Sequence, residues 1–135
     1  MTTEDRPPVL DASAVLVWMR AEVGAAVVAG YLATAAISAV NLSEVHQKLA
    51  QYGVDADRMT DRLRVLGVRV AAFDADDAVA AARLWPSTRS AGLSLGDRCC
   101  LALASRLDGF AVTADRAWTG LDLDVPVVSI RDDEQ

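Results

Sequence analysis

Short apolar runs and longer amphipathic stretches alternate along the chain. Pro7-Pro8-Val9-Leu10-Asp11 is an apolar run that ends in an acid, and it reads as a short strand. Asp11-Ala12-Ser13 then opens a helix through Val15, Leu16, Trp18 and Met19, with Asp11 or Ser13 at its N-cap. A second helix is predicted from about Glu22 to Ala29, stopping near Gly30. Ala33 to Ile37 reads as a strand, and Ser38 starts the helix whose apolar stripe is Val40, Leu42, Val45 and Leu49. Gly53 ends that helix, and Asp55 to Leu66 forms the next, with Arg58, Asp61, Arg62 and Arg64 mostly outside. A strand follows from Val68 to Phe73, then an Ala-rich helix from Asp74 to Leu84, ended by Pro86. Ser87 to Gly92 reads as a loop. A buried helix is then predicted from Ser94 to about Leu107. Phe110 to Thr113 is a buried strand, residues 114–118 turn out of it, and Val125 to Ile130 is the last strand.

Strands alternating with helices call for an α/β fold, a parallel sheet flanked by α-helices on both faces in three layers. At 135 residues the chain is expected to be one domain, 1–135. In such sheets ligands bind beyond the carboxyl ends of the strands, so the residues that follow strands become the candidates for chemistry.

Charge narrows the field. The formal net charge is -6, which does not suit general nucleic-acid binding and suits a site that concentrates carboxylates or meets a basic partner. Glu4, Asp5, Asp132, Asp133 and Glu134 lie near the ends, so part of the excess belongs to solvated termini. Cys99 and Cys100 are adjacent and point in different directions along a helix, so no disulfide framework or metal pair is expected. A reducing cytoplasm follows as the expected location. The N-terminal residues carry Glu4 and Asp5 and no basic stretch before an apolar one, unlike a secretory leader. Val23 to Ser43 is uncharged, yet Gly30 and Ser38 divide it into helix, strand and helix, so it is not expected to span a membrane.

Four acids fall where such a sheet would present them. Asp11 follows the first strand directly, and Asp115 stands two residues after Thr113 at the end of the Phe110 strand. Asp97 is three residues after Ser94, at a helix start, with Cys100, Leu101 and Ala104 following at helical spacing. Glu44 lies one turn after Val40 and Asn41 and can point toward the sheet end. Each acid also has an ordinary local use: Asp11 and Asp115 as caps, Asp97 in a capping box with Ser94, Glu44 as an i,i+4 partner of Lys48. Taken together, four carboxylates at one edge would repel unless hard cations held them. Magnesium or manganese takes oxygen ligands and keeps waters, and two such ions can clamp a phosphodiester. The single His46 reads as a surface helix residue, which leaves no zinc cluster and no Ser-His-Asp set.

The ordered set Val9-Leu10-Asp11-Ala12-Ser13, Asn41-Leu42-Ser43-Glu44-Val45, Ser94-Leu95-Gly96-Asp97 and Thr113-Ala114-Asp115-Arg116-Ala117-Trp118 resembles a PIN domain. It is most similar to the VapC toxins of bacterial VapBC toxin–antitoxin pairs, over nearly the whole chain. The resemblance implies an Mg2+- or Mn2+-dependent endoribonuclease with Asp11, Glu44, Asp97 and Asp115 as the acidic, metal-holding site. It also implies Ser13 and Thr113 as polar supports. It further implies transfer or ribosomal RNA as substrate, a homodimer, and silencing by a cognate VapB-type antitoxin. The sequence departs from the pattern in its extra polar residues before the first strand and in Arg98, where relatives often carry a small residue. Arg98 is therefore open to RNA, antitoxin or the partner subunit.

Other classes are weaker fits. A phosphoacceptor receiver domain would need a Lys after a late strand, and the only lysine is Lys48. An aspartyl-phosphate phosphatase would want Asp-x-Asp after the first strand, where position 13 is Ser. A housekeeping RNA-processing nuclease and a non-catalytic binding module on the same fold stay open. The expected antitoxin would lay an apolar helix against the region between Val40 and Leu66 and place an Arg near Asp11, Glu44 and Asp97.

Overall fold

The computed structural model describes residues 6–131. The terminal acids Glu4, Asp5, Asp132, Asp133 and Glu134 lie outside the described residues. Five parallel strands form one sheet in the order β3-β2-β1-β4-β5. They are β1 (Pro8–Leu10), β2 (Ala36–Ser38), β3 (Arg69–Ala71), β4 (Phe110–Thr113) and β5 (Val127–Ser129). Successive strand residues face opposite ways, and the core divides accordingly. Leu10, Ile37 and Val112 pack under α1 (Ala12–Met19), α2 (Ala25–Tyr31), α3 (Ala39–Gln51) and α4 (Ala56–Val65). Val9, Ala36 and Ala111 pack with Leu101, Leu103, Ala104 and the fully buried Trp118 under α7 (Leu95–Arg106). Small strand residues on this second face let α7 sit close to the sheet. The remaining helices are α5 (Ala75–Arg83), which packs along α7, and the short α6 (Trp85–Thr88).

Most helix starts follow the chain's own polar signals. Asp11 caps α1 through Ala14 N–H, Ser38 caps α3 through Val40 N–H, and Asp55 caps α4 through Arg58 N–H. Asp74 with Asp77 and Ser94 with Asp97 form capping boxes on α5 and α7. Arg106 then ties the two helices by an ion pair to Asp77 at 3.0 Å.

Several boundaries differ from expectation. The second helix starts at Ala25 and runs through Gly30 to Tyr31, because an exposed Gly weakens a helix without ending it. It continues as a 3-10 turn over Leu32–Thr34, so the strand expected at Ala33 starts at Ala36. The expected loop at 87–92 is instead short helix and 3-10 turn, with Pro86 in the first turn of α6, where a missing N–H costs nothing. The third and fifth strands are shorter than their apolar runs. His46 is half-buried and hydrogen-bonded to Thr60 across the α3–α4 pair, so it is not a free surface residue. Among the described residues no helix is long and apolar enough to cross a membrane.

Candidate active site

Asp11 is the fixed point. It leaves β1 at its carboxyl end and is 3% exposed. Its Oδ1 accepts from Ala14 N–H at 2.8 Å and its Oδ2 accepts from the Thr113 hydroxyl at 2.5 Å. The Ser13 hydroxyl lies 2.7 Å and 2.9 Å from the two carboxylate oxygens. Burial pushes its pKa up to about 6; these hydrogen bonds oppose the rise, and the Asp97 charge adds a little to it.

Thr113 and Ser13 hold the β4 end of the site. Thr113 Oγ1 gives its proton to Asp11 and accepts from Asp115 N–H at 3.1 Å. Ser13 Oγ accepts from Ala114 N–H at 2.9 Å. One threonine hydroxyl thus connects Asp11 to the backbone of Asp115, an exposed residue whose own Oδ1 caps the next 3-10 turn through Ala117 N–H at 2.9 Å.

Asp97 and Glu44 approach from α7 and α3. Asp97 Oδ2 accepts from Ser94 N–H at 2.8 Å, while Ser94 Oγ accepts from Asp97 N–H at 3.1 Å. Glu44 makes no ion pair with Lys48 among the described residues, contrary to the local reading of that acid. Its Oε1 accepts from Asn41 Nδ2 at 2.8 Å, and the same nitrogen donates to the Gly96 carbonyl at 2.9 Å. Beneath these acids lies Cys100, which donates to the Val9 carbonyl at 3.7 Å. Burial pushes its thiol pKa well up, and the charges of Asp11, Asp97, Cys99 and Glu44 raise it further. The charges of Asp11, Asp97 and Glu44 all bear on this one buried thiol, and Asp115 is linked to Asp11 through Thr113.

These carboxylates do not form a closed cage. Among the described residues no three His, Cys, Asp or Glu side chains stand close enough to hold an ion as they are folded. The donor chemistry nonetheless fits a hard divalent cation, since every candidate donor is a carboxylate oxygen. Glu44, Asp97 and Asp115 each keep one oxygen without a hydrogen bond from the described residues. The larger concavities lie elsewhere, and a smaller one touches the site at Glu44. One of about 320 Å³ is lined by Arg83, Ser87, Leu101, Ser105 and residues 122–125, and one of about 190 Å³ is bordered by Glu44, Gln47, Lys48 and Gln51. The acids thus stand on an open sheet edge, a shape that suits an extended substrate better than a small molecule.

Two residues read differently from expectation. Arg98 turns inward, with Nη1 on the Ala81 carbonyl at 3.1 Å, so it joins α7 to α5. Asn41 was legible only as the residue one turn before Glu44 and as part of the set that carries the family resemblance. Its signal was a polar amide three residues before an acid on a buried face, and it is 1% exposed.

The family model for the PIN domain matches residues 9–122. The comparison with curated proteins returned no match. Among solved structures, the chain is similar to a toxin–antitoxin complex from Klebsiella pneumoniae, with TM-score 0.72 and 18% identity over 91% of this chain and 97% of that one. It is similar to VapBC2 from Rickettsia felis bound to a DNA fragment from their promoter, with TM-score 0.68 and 15% identity over 90% and 97% of the two chains. It is also similar to VapC20 of Mycobacterium tuberculosis, a sarcin-ricin loop cleaving toxin, with TM-score 0.67 and 16% identity over 88% and 99%. At these identities the likeness is one of fold.

Proposed function

This chain belongs to the PIN-domain family, and on that premise we propose that it is an Mg2+- or Mn2+-dependent endoribonuclease, the toxin of a type II toxin–antitoxin pair. Its substrate class is structured RNA of the translation machinery, transfer or ribosomal RNA, and its setting is the cytoplasm. Residues 1–135 act as one domain. The observation that carries this reading is the buried Asp11, its pKa pushed up to about 6, tied through Thr113 to Asp115, with Asp97 close by and Glu44 resting on Gly96 next to it. A carboxylate buried against the cost of its charge is the kind of group that gathers at functional sites. The solved relatives of toxin–antitoxin and VapC type support the choice within the family.

In this reading Asp11, Glu44, Asp97 and Asp115 would hold the ions. A bound cation of this kind supplies an activated water and neutralises charge on the phosphodiester. The chain's part is placement. Ala14 N–H, Ser13 and Thr113 fix the orientation of Asp11 and favour its charged form. The capping box fixes Asp97, and the short cap at Ala117 fixes Asp115. Ser13 and Thr113 are supports and are not required to touch RNA.

The direct test is cleavage of transfer and ribosomal RNA by purified protein with and without Mg2+ or Mn2+. Asp97→Asn keeps an acceptor for Ser94 N–H and loses the charge. It should abolish nearly all cleavage at a melting temperature within a few degrees of wild type. Unchanged cleavage would remove Asp97 from the site, and an unfolded variant would make the capping box its main role. A homodimer and a VapB-type antitoxin are the partners of this reading. The antitoxin's apolar helix fits the groove between α1, α3 and α4, lined by Met19, Leu49, Tyr52, Val54 and Met59.

A further inference from the structure

Glu44 is an exposed residue on α3, and an exposed glutamate ordinarily samples many rotamers in water. Here its carboxylate lies against the first turn of α7. A Cβ built on Gly96 would sit 2.5 Å from Oε2, 2.6 Å from Oε1 and 2.7 Å from Cδ of Glu44. Asn41 closes the other side, using Nδ2 on both Glu44 Oε1 and the Gly96 carbonyl. An amide nitrogen carries two hydrogens, and each has an acceptor.

Neither residue is explained by its own helix. The φ of Gly96 lies outside the left-handed region, so the backbone does not require glycine. Inside α7, glycine is also a poorer helix former than alanine. Asn41 is buried and leaves its Oδ1 without a hydrogen-bond partner, a cost that an apolar residue of similar size would avoid. Two locally unfavourable choices, on two helices, meet at one carboxylate. Local rules broken together in this way mark a functional constraint.

We propose that Asn41 and Gly96 form a seat for the Glu44 carboxylate, Asn41 as a positioning residue and Gly96 as the bare backbone on which it rests, so that Glu44 stands ready beside Asp97. The consequence for cation binding rests on the nuclease reading above; the seat itself does not. A methyl group at position 96 would meet only the far end of a flexible side chain, so the fold survives by releasing Glu44. Any loss then comes from misplacing one acid.

The test uses the full chain with Gly96→Ala, Glu44→Gln and the double variant. Without metal, the side-chain amide resonances of Asn41 should move in Gly96→Ala as they do in Glu44→Gln, at an unchanged or higher melting temperature. Titration with Mn2+ should then show affinity lowered roughly 10- to 100-fold in Gly96→Ala, the range for second-sphere changes, and to a comparable extent in Glu44→Gln, where the ligand charge itself is lost. The double variant should fall no further. Asn41 resonances indifferent to both substitutions, or losses that multiply in the double variant, would overturn the seat. If Gly96→Ala does not fold, Asn41→Leu decides by the same criterion of equal, non-multiplying loss in Mn2+ affinity. A wild-type protein that neither binds Mn2+ nor cuts RNA, while its Asn41 resonances still respond to Glu44→Gln and Gly96→Ala, refutes the nuclease reading and leaves the seat standing.

Discussion

At the scale of single residues, Asp11 sets a pH dependence with a definite sign. Its carboxyl titrates near 6 in the fold and near 3.8 in the unfolded chain. Between those values the unfolded chain gives up its proton first, so the folded state binds more protons and stability falls as pH rises. The loss is complete above about pH 6 and is on the order of 3 kcal/mol, from the energy of one pKa unit. Asn caps helices as well as Asp does. Asp11→Asn should therefore melt several degrees above the metal-free wild type at pH 8, with the gap closing by pH 4. Thermal scans at the two pH values check this, and an equal gap at both would show that charge is not the cause. Divalent cations favour the ionised form, so the rise in melting temperature on adding Mn2+ should grow from pH 5 to pH 7.

Asp11, Asp97 and Asp115 were legible because each follows a strand or opens a helix, where sequence patterns are strong; Glu44, inside α3, was legible from its spacing to Val40 and Asn41. Their local and collective uses turn out not to exclude one another. Asp97 is at once the capping-box acid and a neighbour of Asp11, and Asp115 caps a turn while bound to Thr113 through its N–H. The amide of Asn41 was not legible as a contact. It reaches Gly96, 55 residues further on, and nothing within one helix announces such a partner.

At the scale of elements, the long capped helices were plain and the short irregular ones were not. The helix predicted at 55–66 appears as Ala56–Val65 with Asp55 at its cap, and the one predicted at 94–107 as Leu95–Arg106. Around Gly30 and Pro86 the usual breaker signals did not end a helix, since an exposed Gly only weakens one and a Pro in the first turn gives up an N–H that has no helical partner. Gly67, in the turn from α4 to β3, is a different matter. Its φ is +113°, and a Cβ there would lie 2.7 Å from the oxygen and 2.8 Å from the Cα of Ala33. Those are backbone atoms of the connection into β2 and cannot rotate away. Gly67→Ala should destabilise by about 2 kcal/mol or more, combining backbone strain with a steric clash. Denaturant unfolding checks this, and the contrast with Gly96→Ala is informative. The same substitution should harm stability at 67 and spare it at 96.

At the scale of the whole molecule, the alternation of strands and helices was enough to predict the layered sheet, since a buried parallel sheet needs helices on both faces. It was not enough to place the surfaces. Tyr52, Val54, Val65 and Leu66 remain 60%, 43%, 86% and 40% exposed on and beside the α3–α4 pair, while Val45, Leu49 and Leu63 of the same pair are core. Tyr52 and Val54 border a groove of about 270 Å³ with Met19, Arg20, Leu49 and Met59. The Arg20 guanidinium lies over the Tyr52 ring at 4.4 Å. An apolar floor with a cationic rim suits an amphipathic helix that carries acids on its edge. The acidic site offers the opposite handle, a place for an arginine fork. On the function proposed above, a single antitoxin uses both, and the two uses separate by mutation. Val54→Asp puts a charge in the groove, which none of the four acids of the site lines. It should weaken capture of the co-expressed partner at least tenfold, about 1.4 kcal/mol, while RNA cleavage by the free toxin stays at the wild-type rate. Replacing the partner's arginines one at a time by Ala should do the reverse at one position, restoring cleavage while the complex persists. Pull-down and cleavage measured on the same preparations distinguish the cases. Undiminished capture by Val54→Asp would move the docking helix off this groove, and inhibition that survives every arginine change would leave steric blocking as the means of control.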